Sequence, residues 1–506
     1  MELYCPICDK EYPLETDALF CPESGKNGAH PLVKRDNTSE LARVFPTTLT
    51  KRWNDNKLSF SVFREFMASY QLANAHGKAT WWVERVLALS NACERLTGRG
   101  FVRTPEIAAD DLAQAIDLPK ASLFVKNETL QLTGSHKSRH LAGTIMHLET
   151  LRELSDDPDE KKTLAVCAGD DAMTAAAAVA AAAGYRLYAF VPENARGSVV
   201  SALTNFGATV VTVAGEAAAC RARYEDALKK FGWVPFSSYG RDVWSAVEGA
   251  ETLEYEFLFH QYMIDAPLDV QVVQVAGGGL ANAVSTANAL FKRLDVIRKL
   301  PRLYTCQTAE CYPLAQSYFL VLRELGRDGV VTLPPELAML LEGDFDAKTL
   351  LENNLGQIKM TAGLIAEMAP KIQDDLDAVF VKVGENRDDY FKPRADAPDT
   401  CAATPYDGLE VVRGMILSGG LPLIVDADEL AKANELAREH ANIDASLTGS
   451  AGLAGLRRLI KSKLVQQGER CGILFTGARE SKCDLPAIPD RIVTLTAEDD
   501  LSKLTD

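Results

Sequence analysis

The sequence has little positive charge for its length. Its 506 residues include 54 Lys and Arg against 70 Asp and Glu, so the net charge is −16 at pH 7. Non-specific binding to nucleic acid depends on basic patches that neutralise phosphates. The balance of charge therefore predicts that nucleic acid is not a partner. A hydrophobic content of 47% is nevertheless enough for several packed cores.

The sequence also lacks the marks of export and of membrane insertion. Its start, Met-Glu-Leu-Tyr-Cys-Pro, has neither the basic nor the apolar region of a signal peptide. The longest run of small apolar residues, Thr174–Gly184, is too short to cross a bilayer. Eleven cysteines are scattered along the chain, which without a secretory signal indicates reduced thiols. We therefore expect a cytoplasmic protein that does not bind membranes.

A fourth cysteine is missing from an amino-terminal pattern that is otherwise typical of a zinc ribbon. Cys5 and Cys8 form a Cys-x-x-Cys pair, and Cys21 opens a second pair whose last position is a serine. A tetrahedral zinc site needs four ligands, and His30 is the remaining candidate despite its long spacing. The alternative is a ribbon that has lost its metal and is held by packing. In both cases we expect residues 1–35 to be an appendage that the chemistry does not need.

After the appendage, the pattern of apolar residues changes from helical to alternating. Residues 36–100 predict helices, and the aromatic residues around Trp82 indicate a core or a subunit interface. From Thr163 onward, strands alternate with helices, which implies βαβ units and a parallel sheet. Residues 325–400 are less regular and predict an insertion of helices and loops. The predicted strands are Ser122–Lys126, Thr163–Cys167, Arg186–Pro192, Thr209–Val213, Leu268–Val275, Arg302–Gln307, Pro422–Val425 and Cys471–Phe475.

One stretch, Lys126–Arg139, carries the strongest chemical signal. It follows a predicted strand and precedes a predicted helix at Leu141–Leu154, with a turn at Thr133–Ser135 shortly before Lys137. A lysine at such a junction can be screened from water and surrounded by backbone N–H groups. Those conditions lower its pKa and make the amine a nucleophile. The alternative is an ordinary solvated lysine on the surface.

A second signal is a glycine run between a predicted strand and a predicted helix. It consists of Gly277, Gly278 and Gly279 and is followed by Leu280. Glycines let backbone N–H groups approach a phosphate closely, and the start of the helix adds partial positive charge. The alternative is an ordinary tight turn. Because the run follows a fully apolar strand, we favour a phosphate site.

The lysine stretch resembles the lysine motif of the fold-type-II pyridoxal-phosphate enzymes, which include threonine synthase, cysteine synthase, tryptophan synthase β and the serine/threonine dehydratases. Their Lys-x-Glu and Thr-Gly-Ser-Phe-Lys correspond here to KNE at 126–128 and TGSHK at 133–137. The likeness extends from about Thr104 to Thr476. It implies that Lys137 is the Schiff-base lysine and that the glycine run holds the phosphate of the cofactor. It also implies that the hydroxyl of Thr476 faces the pyridine nitrogen.

The main departure from the family pattern is the loop Ala168–Asp171. The family has Ser-Ser/Thr-Gly-Asn there, and its Asn bonds the phenolic oxygen of the cofactor. Spacing makes Asp171 the replacement for that Asn, and Asp170 is the alternative after a shift of one residue. Two ionised carboxylates would repel the phenolate and the substrate carboxylate, so one must be protonated or paired with a cation. The candidates for that cation are Arg139, His136 and His140.

The resemblance further implies a two-lobed α/β fold with parallel or mostly parallel sheets, and a homodimer that binds pyridoxal phosphate and an amino-acid substrate. After the appendage, we expect residues 36–137 and 250–506 to form the large cofactor-binding lobe and residues 138–249 the smaller lobe. Catalysis would use Lys137 with Asp171 or Asp170. The expected substrate-binding residues are Ser135, His136, Arg139, Ala168 and Gly169.

The resemblance also suggests a reaction. Some threonine synthases carry a similar amino-terminal ribbon. The ribbon and the length of the chain therefore favour a threonine-synthase-like β/γ-elimination or replacement. The substrate would be an amino acid with an activated side chain, for instance a phosphorylated one. A serine/threonine-type dehydratase is the first alternative. A regulatory protein that binds the cofactor but has altered catalysis is the second, because of the two aspartates.

Overall fold

A computed structural model of the chain describes residues 1–24, 30–392, 404–479, 485–496 and 498–504. Three β-sheets organise these residues, and helices pack against the two larger sheets. Within the described part of the chain, no helix combines the length and the apolar character that crossing a membrane requires. The predicted insertion at 325–400 lies inside the described part only as far as residue 392.

The amino-terminal part consists of a small sheet followed by helices. The longest of these helices buries Trp82, Val86, Leu89 and Cys93, whose spacing of three and four residues defines one face. Trp82 therefore belongs to the core, and its indole N–H donates to the hydroxyl of Ser69. The elements are β1 (Glu2–Cys5), β2 (Lys10–Tyr12), β3 (Val33–Arg35), α1 (Thr38–Val44), α2 (Thr47–Asp55), α3 (Ser59–Val62), α4 (Ala68–Ala75) and α5 (Ala79–Thr97).

The middle of the chain alternates strands with helices, as the sequence predicts. Strand Thr209–Val213 has the predicted bounds, and the other predicted strands in this part of the chain differ by one residue at one or both ends. The elements are β4 (Glu106–Ala108), α6 (Asp110–Ala115), β5 (Leu123–Asn127), α7 (Lys137–Glu153), β6 (Leu164–Val166), α8 (Asp170–Ala183), β7 (Leu187–Pro192), α9 (Gly197–Asn205), β8 (Thr209–Val213), α10 (Ala217–Phe231), β9 (Val234–Pro235) and α11 (Trp244–Met263).

The last part of the chain resumes the alternation around a mainly helical insertion. The insertion contributes α14 to α17, in agreement with the prediction of helices and loops. The elements are β10 (Val270–Gln274), α12 (Gly279–Arg293), β11 (Arg302–Thr308), α13 (Pro313–Arg327), α14 (Pro335–Glu342), α15 (Ala347–Met368), α16 (Gln373–Glu385), α17 (Arg387–Tyr390), α18 (Gly408–Ser418), β12 (Pro422–Val425), α19 (Ala427–Ala441), α20 (Ala451–Lys461), β13 (Cys471–Phe475) and β14 (Ile492–Leu495).

The two larger sheets are almost wholly parallel, which confirms the predicted fold class. The six-stranded sheet has the order β12-β11-β10-β13-β5-β4, and only its edge strand β4 runs antiparallel to its neighbour. The five-stranded sheet has the order β14-β8-β7-β6-β9, and all its pairs are parallel. The central strands read as continuous apolar runs because helices bury both of their faces.

Strand β14 joins the smaller sheet rather than the larger one. It pairs in parallel with β8, so Ile492 lies opposite Val210 and Leu495 opposite Val213. The sequence-based division placed the whole of 250–506 in the large lobe, because a short strand at the end of a chain gives no indication of its partner. The carboxyl end of the chain therefore returns to the smaller sheet.

The amino-terminal sheet is tied into the large lobe rather than detached from it. Lys34 of β3 reaches α11, where its ammonium lies 2.8 Å from Glu251 and 3.6 Å from Glu248. The same ammonium donates to the carbonyl of Phe66, and its side chain is only 3% exposed. The indole of Trp244 donates to the carbonyl of Ala18. The appendage thus supplies the counter-charge for two buried carboxylates.

Deleting residues 1–35 should therefore destabilise the protein, although the sequence analysis expects that the chemistry does not need them. Removing one partner of a buried ion pair costs about 3–5 kcal/mol because a charge stays buried without compensation. We expect a lower midpoint of thermal unfolding for the 36–506 fragment than for the full chain. A fragment with the midpoint of the full chain would contradict this expectation.

Candidate active site

The candidate site lies where the carboxyl ends of several parallel strands meet. In the large sheet β13 lies between β10 and β5, with Val272 opposite Ile473 and Phe475 opposite Asn127. The segments that follow these three strands hold the lysine stretch, the glycine run and Thr476. Ligands of open α/β sheets bind outside the carboxyl ends of the strands. The fold therefore brings three segments together that are far apart in sequence.

The lysine stretch and the segment after β13 are joined by backbone hydrogen bonds. The N–H of His136 donates to the carbonyl of Thr476 at 3.1 Å, and the N–H of Ala478 donates to Gly134 at 2.7 Å. Gly134 has a φ of +73°, which suits glycine. These bonds fix the start of α7, where Lys137 is the first residue. The lysine is therefore held by two segments rather than by a single loop.

The amine of Lys137 points towards the smaller lobe. Its Nζ donates to the hydroxyl of Ser238 at 3.1 Å and lies 5.3 Å from the ring centroid of Tyr239. Burial lowers the pKa of Lys137 to about 8, although the carboxylates of Asp171 and Asp407 act in the opposite direction. A larger fraction of the amine is thus neutral near pH 7 than in an ordinary lysine. A neutral amine can act as a nucleophile or as a base.

The glycine run forms a cradle at the start of α12. Gly278 has a φ of +103°, and a Cβ on Gly279 would lie 2.2 Å from the carbonyl oxygen of Ser238. A Cβ on Gly277 would lie 2.4 Å from the ring of Tyr239. No side chain caps α12, and Leu280 is buried in its first turn. The first N–H groups of an uncapped helix are free for an anion, so the cradle fits a phosphate.

Asp407 lies against this cradle, which the sequence analysis did not predict. Its carboxylate accepts from the N–H groups of Gly240 and Arg241 at 2.9 and 3.0 Å, and from the side-chain amide of Asn282 at 3.3 Å. Its own N–H donates to the carbonyl of Gly277. Burial and, to a lesser degree, the nearby Glu410 raise the pKa of Asp407 to about 6. Asp407 therefore ties the glycine run to the loop after β9.

The sequence contains a signal for some of the site residues that the sequence analysis did not predict, but not for all of them. Asp407 lies beyond the insertion, and no motif connects it with the glycine run. Ser238 and Tyr239, by contrast, follow the short strand β9 in a polar segment. A polar segment at the carboxyl end of a parallel strand is a signal for a site residue. Strand β9 is only two residues long, and this explains why the sequence did not reveal it.

The hydroxyl oxygen of Thr476 already accepts a hydrogen bond. The side-chain amide of Gln274 donates to Thr476 Oγ1 at 2.7 Å and to the carbonyl of Gly449 at 2.9 Å. The carbonyl acceptor fixes which end of the amide carries the N–H groups. The hydroxyl proton of Thr476 can therefore be donated to another group. This arrangement fits the expected hydrogen bond to a pyridine nitrogen.

The loop Ala168–Asp171, called the divergent loop below, contains two aspartates with different surroundings. The carboxylate of Asp170 pairs with the guanidinium of Arg196, with Nε at 2.7 Å. Asp171 Oδ2 lies 3.0 Å from the place that a Cβ on Gly477 would occupy, next to Thr476. Asp171 thus faces the site whereas Asp170 faces away towards α9. Ala168 and Gly169 precede α8 in the same loop, and Gly169 is the N-cap residue, which has no side chain to cap the helix.

Arg139 lies in a buried ion network instead of the substrate loop. Its guanidinium donates to Glu128 at 2.8 Å and to Glu256 at 2.7 Å, and its side chain is 1% exposed. Lys126 pairs with the same Glu256 and with Glu106. The expected contact of Arg139 with substrate, or with the aspartates, thus finds no support in the described geometry. Glu128 lies in the lysine stretch itself, but Glu256 is 117 residues from Arg139 and could not be inferred from the motif.

The two histidines beside the lysine do not provide a cation either. Burial and the charge of Lys137 lower the pKa of His136 to about 3, and the pKa of His140 lies well below its usual value for the same reasons. Both rings are therefore neutral at pH 7. Lys137 is itself a cation whose charge interacts with that of Asp171. Ser135, also expected near substrate, is buried and its hydroxyl accepts from the N–H of Lys137.

A prediction follows for Asp171. Replacing it with Asn removes a negative charge near Lys137, so the ammonium is less favoured and the pKa of Lys137 falls below about 8. In the protein without any bound ligand, Lys137 should then react faster with an amine reagent at pH 7, as measured by peptide mapping. Asp170→Asn is the matched control and should leave that rate unchanged. Equal effects of the two substitutions would contradict the assignment.

A separate cluster of ligand-type side chains lies in the amino-terminal sheet. Cys5, Cys8, Cys21 and His30 place their sulfur and nitrogen atoms within 4.8 Å of one another. Cys8 Sγ lies 3.2 Å from His30 Nδ1 and 3.9 Å from Cys21 Sγ. The long spacing between Cys21 and His30 thus does not prevent them from meeting.

A comparison with protein families decides the family of the chain. The sequence model of the family described as "Pyridoxal-phosphate dependent enzyme" matches residues 99–352, which is about half of the chain. The chain belongs to this family. The match covers the lysine stretch, the divergent loop and the glycine run, and the family implies pyridoxal phosphate as the cofactor. A lysine amine, a phosphate cradle and a free hydroxyl donor in one place fit that group.

Curated relatives of this pyridoxal-phosphate enzyme are threonine dehydratases. The catabolic L-threonine dehydratase TdcB of Staphylococcus aureus strain USA300 is 30% identical over 185 residues, which are 37% of this chain and 49% of the relative. The protein of the same name from strain N315 is 28% identical over 185 residues. The chain therefore spans about half the length of the curated relatives it matches.

Solved structures similar to this pyridoxal-phosphate enzyme share its fold. Maize serine racemase has a TM-score of 0.50 at 15% identity, covering 78% of this chain and 95% of the racemase. The processed threonine deaminase isoform 2 of Solanum lycopersicum has a TM-score of 0.51 at 12% identity, covering 75% and 85%. The diaminopropionate ammonia lyase of Escherichia coli has a TM-score of 0.50 at 14% identity, covering 77% and 88%.

Proposed function

We propose that the protein is a pyridoxal-phosphate-dependent lyase of the dehydratase type, which converts a β-hydroxy amino acid into a 2-oxo acid and ammonia. The observation that carries the proposal is the 30% identity to a catabolic L-threonine dehydratase. This replaces the threonine-synthase-like reaction as our first choice. The sequence analysis favoured a synthase because of the amino-terminal ribbon and the length of the chain, and the ribbon lies outside the family match at 99–352.

The residues that would hold the cofactor are Lys137, the glycine run with Leu280, and Thr476. Bound pyridoxal phosphate supplies an electron sink that makes the Cα proton of an amino acid acidic. Lys137 Nζ would accept that proton, since its pKa of about 8 leaves part of the amine neutral near pH 7. The hydroxyl of Thr476 is uncharged, so it would hold the pyridine nitrogen without fixing a full positive charge there.

The divergent loop would bind the substrate and assist its leaving group. Ala168, Gly169 and the hydroxyl of Ser135 would surround the substrate carboxylate. Asp171, which faces the site beside Gly477, would take up a proton from the Lys137 ammonium and pass it to the departing hydroxyl group. A leaving hydroxide needs such a proton, whereas a leaving phosphate does not. An acid at this position therefore suits the loss of water better than the loss of phosphate.

The proposal is tested by incubating the protein, loaded with pyridoxal phosphate, with a panel of amino acids. L-Threonine or L-serine should yield one 2-oxo acid and one ammonia per turnover. O-Phospho-L-homoserine should release no inorganic phosphate. Phosphate release would instead identify a synthase, and formation of D-serine would identify a racemase. Bound cofactor without turnover of any amino acid would indicate the regulatory alternative.

We further propose that the amino-terminal cluster binds zinc. Three thiolates and one imidazole form a known type of structural zinc site. The ligand atoms of a tetrahedral zinc lie roughly 3.5–3.8 Å apart, close to the 3.9 Å between Cys8 Sγ and Cys21 Sγ. Purified protein should contain one zinc per chain. Cys21→Ser should lose it, whereas Cys93→Ser, which changes a buried cysteine elsewhere, should keep it. Protein without zinc after purification in zinc-supplemented medium would contradict this proposal.

The expected homodimer and the expected cytoplasmic location stay predictions. Sedimentation analysis of the purified protein tests the first, and a mass of about twice the 55.1 kDa of the chain is expected. Cell fractionation in the source organism tests the second.

A further inference from the structure

Two cysteines of the smaller lobe lie close together but have no part in the proposed reaction. Cys167 follows β6 and Cys220 lies in the first turn of α10, and their Sγ atoms are 3.7 Å apart. Cys167 is partly exposed, whereas Cys220 is buried. The two residues are separated by 53 positions in sequence, so no spacing motif predicts that they lie close together. The sequence analysis treated them as scattered thiols.

The surroundings of the pair favour a thiolate at Cys167. A hydrogen bond from the thiol of Cys220 lowers the pKa of Cys167, and the guanidinium of Arg221 acts in the same direction. Burial and the carboxylate of Glu225 oppose this effect without reversing it. The same hydrogen bond, followed by burial, raises the pKa of Cys220. A partly exposed cysteine with a lowered pKa beside a cysteine with a raised pKa is the arrangement of a peroxide-sensing pair.

We propose that Cys167 and Cys220 form a reversible disulfide when the protein reacts with a hydroperoxide. The Cys167 thiolate attacks the O–O bond, so a sulfenic acid forms on Cys167 and the hydroperoxide leaves as hydroxide or alkoxide. The thiol of Cys220 then attacks that sulfur, and one water is released as the S–S bond forms. The two sulfurs lose two electrons, which reduce the hydroperoxide. A dithiol reductant reverses the modification.

The disulfide would act on the divergent loop. A disulfide bond is about 2.05 Å long, so the two sulfur atoms must approach from their distance of 3.7 Å. Cys167 directly precedes Ala168 and Gly169, which lead into α8 and Asp171. Closing the bond therefore pulls this loop towards α10. Because the glycine run belongs to the other sheet, cofactor retention should change less than substrate binding.

The chemical part of the proposal is tested on the full-length protein loaded with pyridoxal phosphate. After hydrogen peroxide at a few equivalents and rapid alkylation, mass spectrometry should find the Cys167–Cys220 cross-linked peptide and the loss of two thiols per chain. Cys93, which is buried and whose pKa is raised to about 12 by burial, should stay reduced as an internal control. In Cys220→Ser, dimedone should trap a sulfenic acid on Cys167. Peroxide that oxidises Cys93 equally, or that yields no cross-link in the wild type, overturns the proposal.

The functional part of the test rests on the proposed lyase activity and is read separately. The oxidised protein should show a KM for its amino acid raised at least tenfold, with its cofactor absorbance kept and with full recovery after dithiothreitol. Cys220→Ser should keep its KM after the same peroxide treatment. A cross-link without any change in KM would support the disulfide but contradict its proposed effect on the divergent loop. If no substrate is turned over at all, the lyase proposal fails while the cross-link experiment still decides the chemistry of the pair.

Discussion

Lys137→Ala should abolish turnover, with a loss of about 1,000-fold or more in kcat. The amine is the group that would bind the cofactor covalently and accept the Cα proton, and no other described lysine amine contacts Ser238. Alanine suits the first turn of a helix, so α7 should still form. The measurement is the rate of 2-oxo acid formation, with circular dichroism as the check on folding.

The matched control for Lys137 is Lys162→Ala. Lys162 lies before β6 with a side chain that is 52% exposed and 3.5 Å from Asp17. Its removal should change kcat by less than twofold, because an exposed ion pair contributes little. Folded Lys137→Ala protein with more than a tenth of wild-type kcat would show that another group performs both roles.

Arg139→Leu should unfold or severely destabilise the protein, with a loss of about 3–5 kcal/mol in the free energy of unfolding. The substitution leaves Glu128 and Glu256 buried with less compensation, and Lys126 alone still pairs with Glu256. Arg139→Lys should recover only part of the loss, since one ammonium cannot make the two-sided bonds of a guanidinium. Chemical denaturation measures the effect.

The control for Arg139 is Lys10→Met, which removes an exposed pair with Glu23. Exposed pairs are worth about 0–1 kcal/mol, so the unfolding midpoint should hardly move. A stable Arg139→Leu protein with a raised KM would indicate that Arg139 binds substrate, as the sequence analysis expected. The two outcomes separate a structural role from a binding role.

The sequence revealed those parts of the site that depend on local pattern. Strands of a parallel sheet are read from their apolar runs, and the lysine stretch and glycine run follow directly after such strands. These features therefore lie in the structure within a residue or two of their predicted bounds. The family match at 99–352 then agrees with what the lysine motif implied.

The sequence did not reveal contacts made by residues distant along the chain. Arg139 fits the motif by position, but its partner Glu256 is 117 residues away and redirects the guanidinium into the core. Asp407 reaches the glycine cradle from beyond the insertion, and Lys34 reaches α11 from the appendage. Charge pairing inside a core depends on packing between elements, which no local pattern encodes. Of the expected substrate residues, the loop residues stay predictions.

The central claim is that Lys137 holds the cofactor, and one measurement tests it most directly. The protein is loaded with pyridoxal phosphate, reduced with borohydride, digested and mapped by mass spectrometry. We predict one pyridoxyl group per chain, carried by Lys137 at the start of α7, and none in Lys137→Ala. A pyridoxyl group on another lysine of the wild-type protein, or none at all after full loading, would contradict the account.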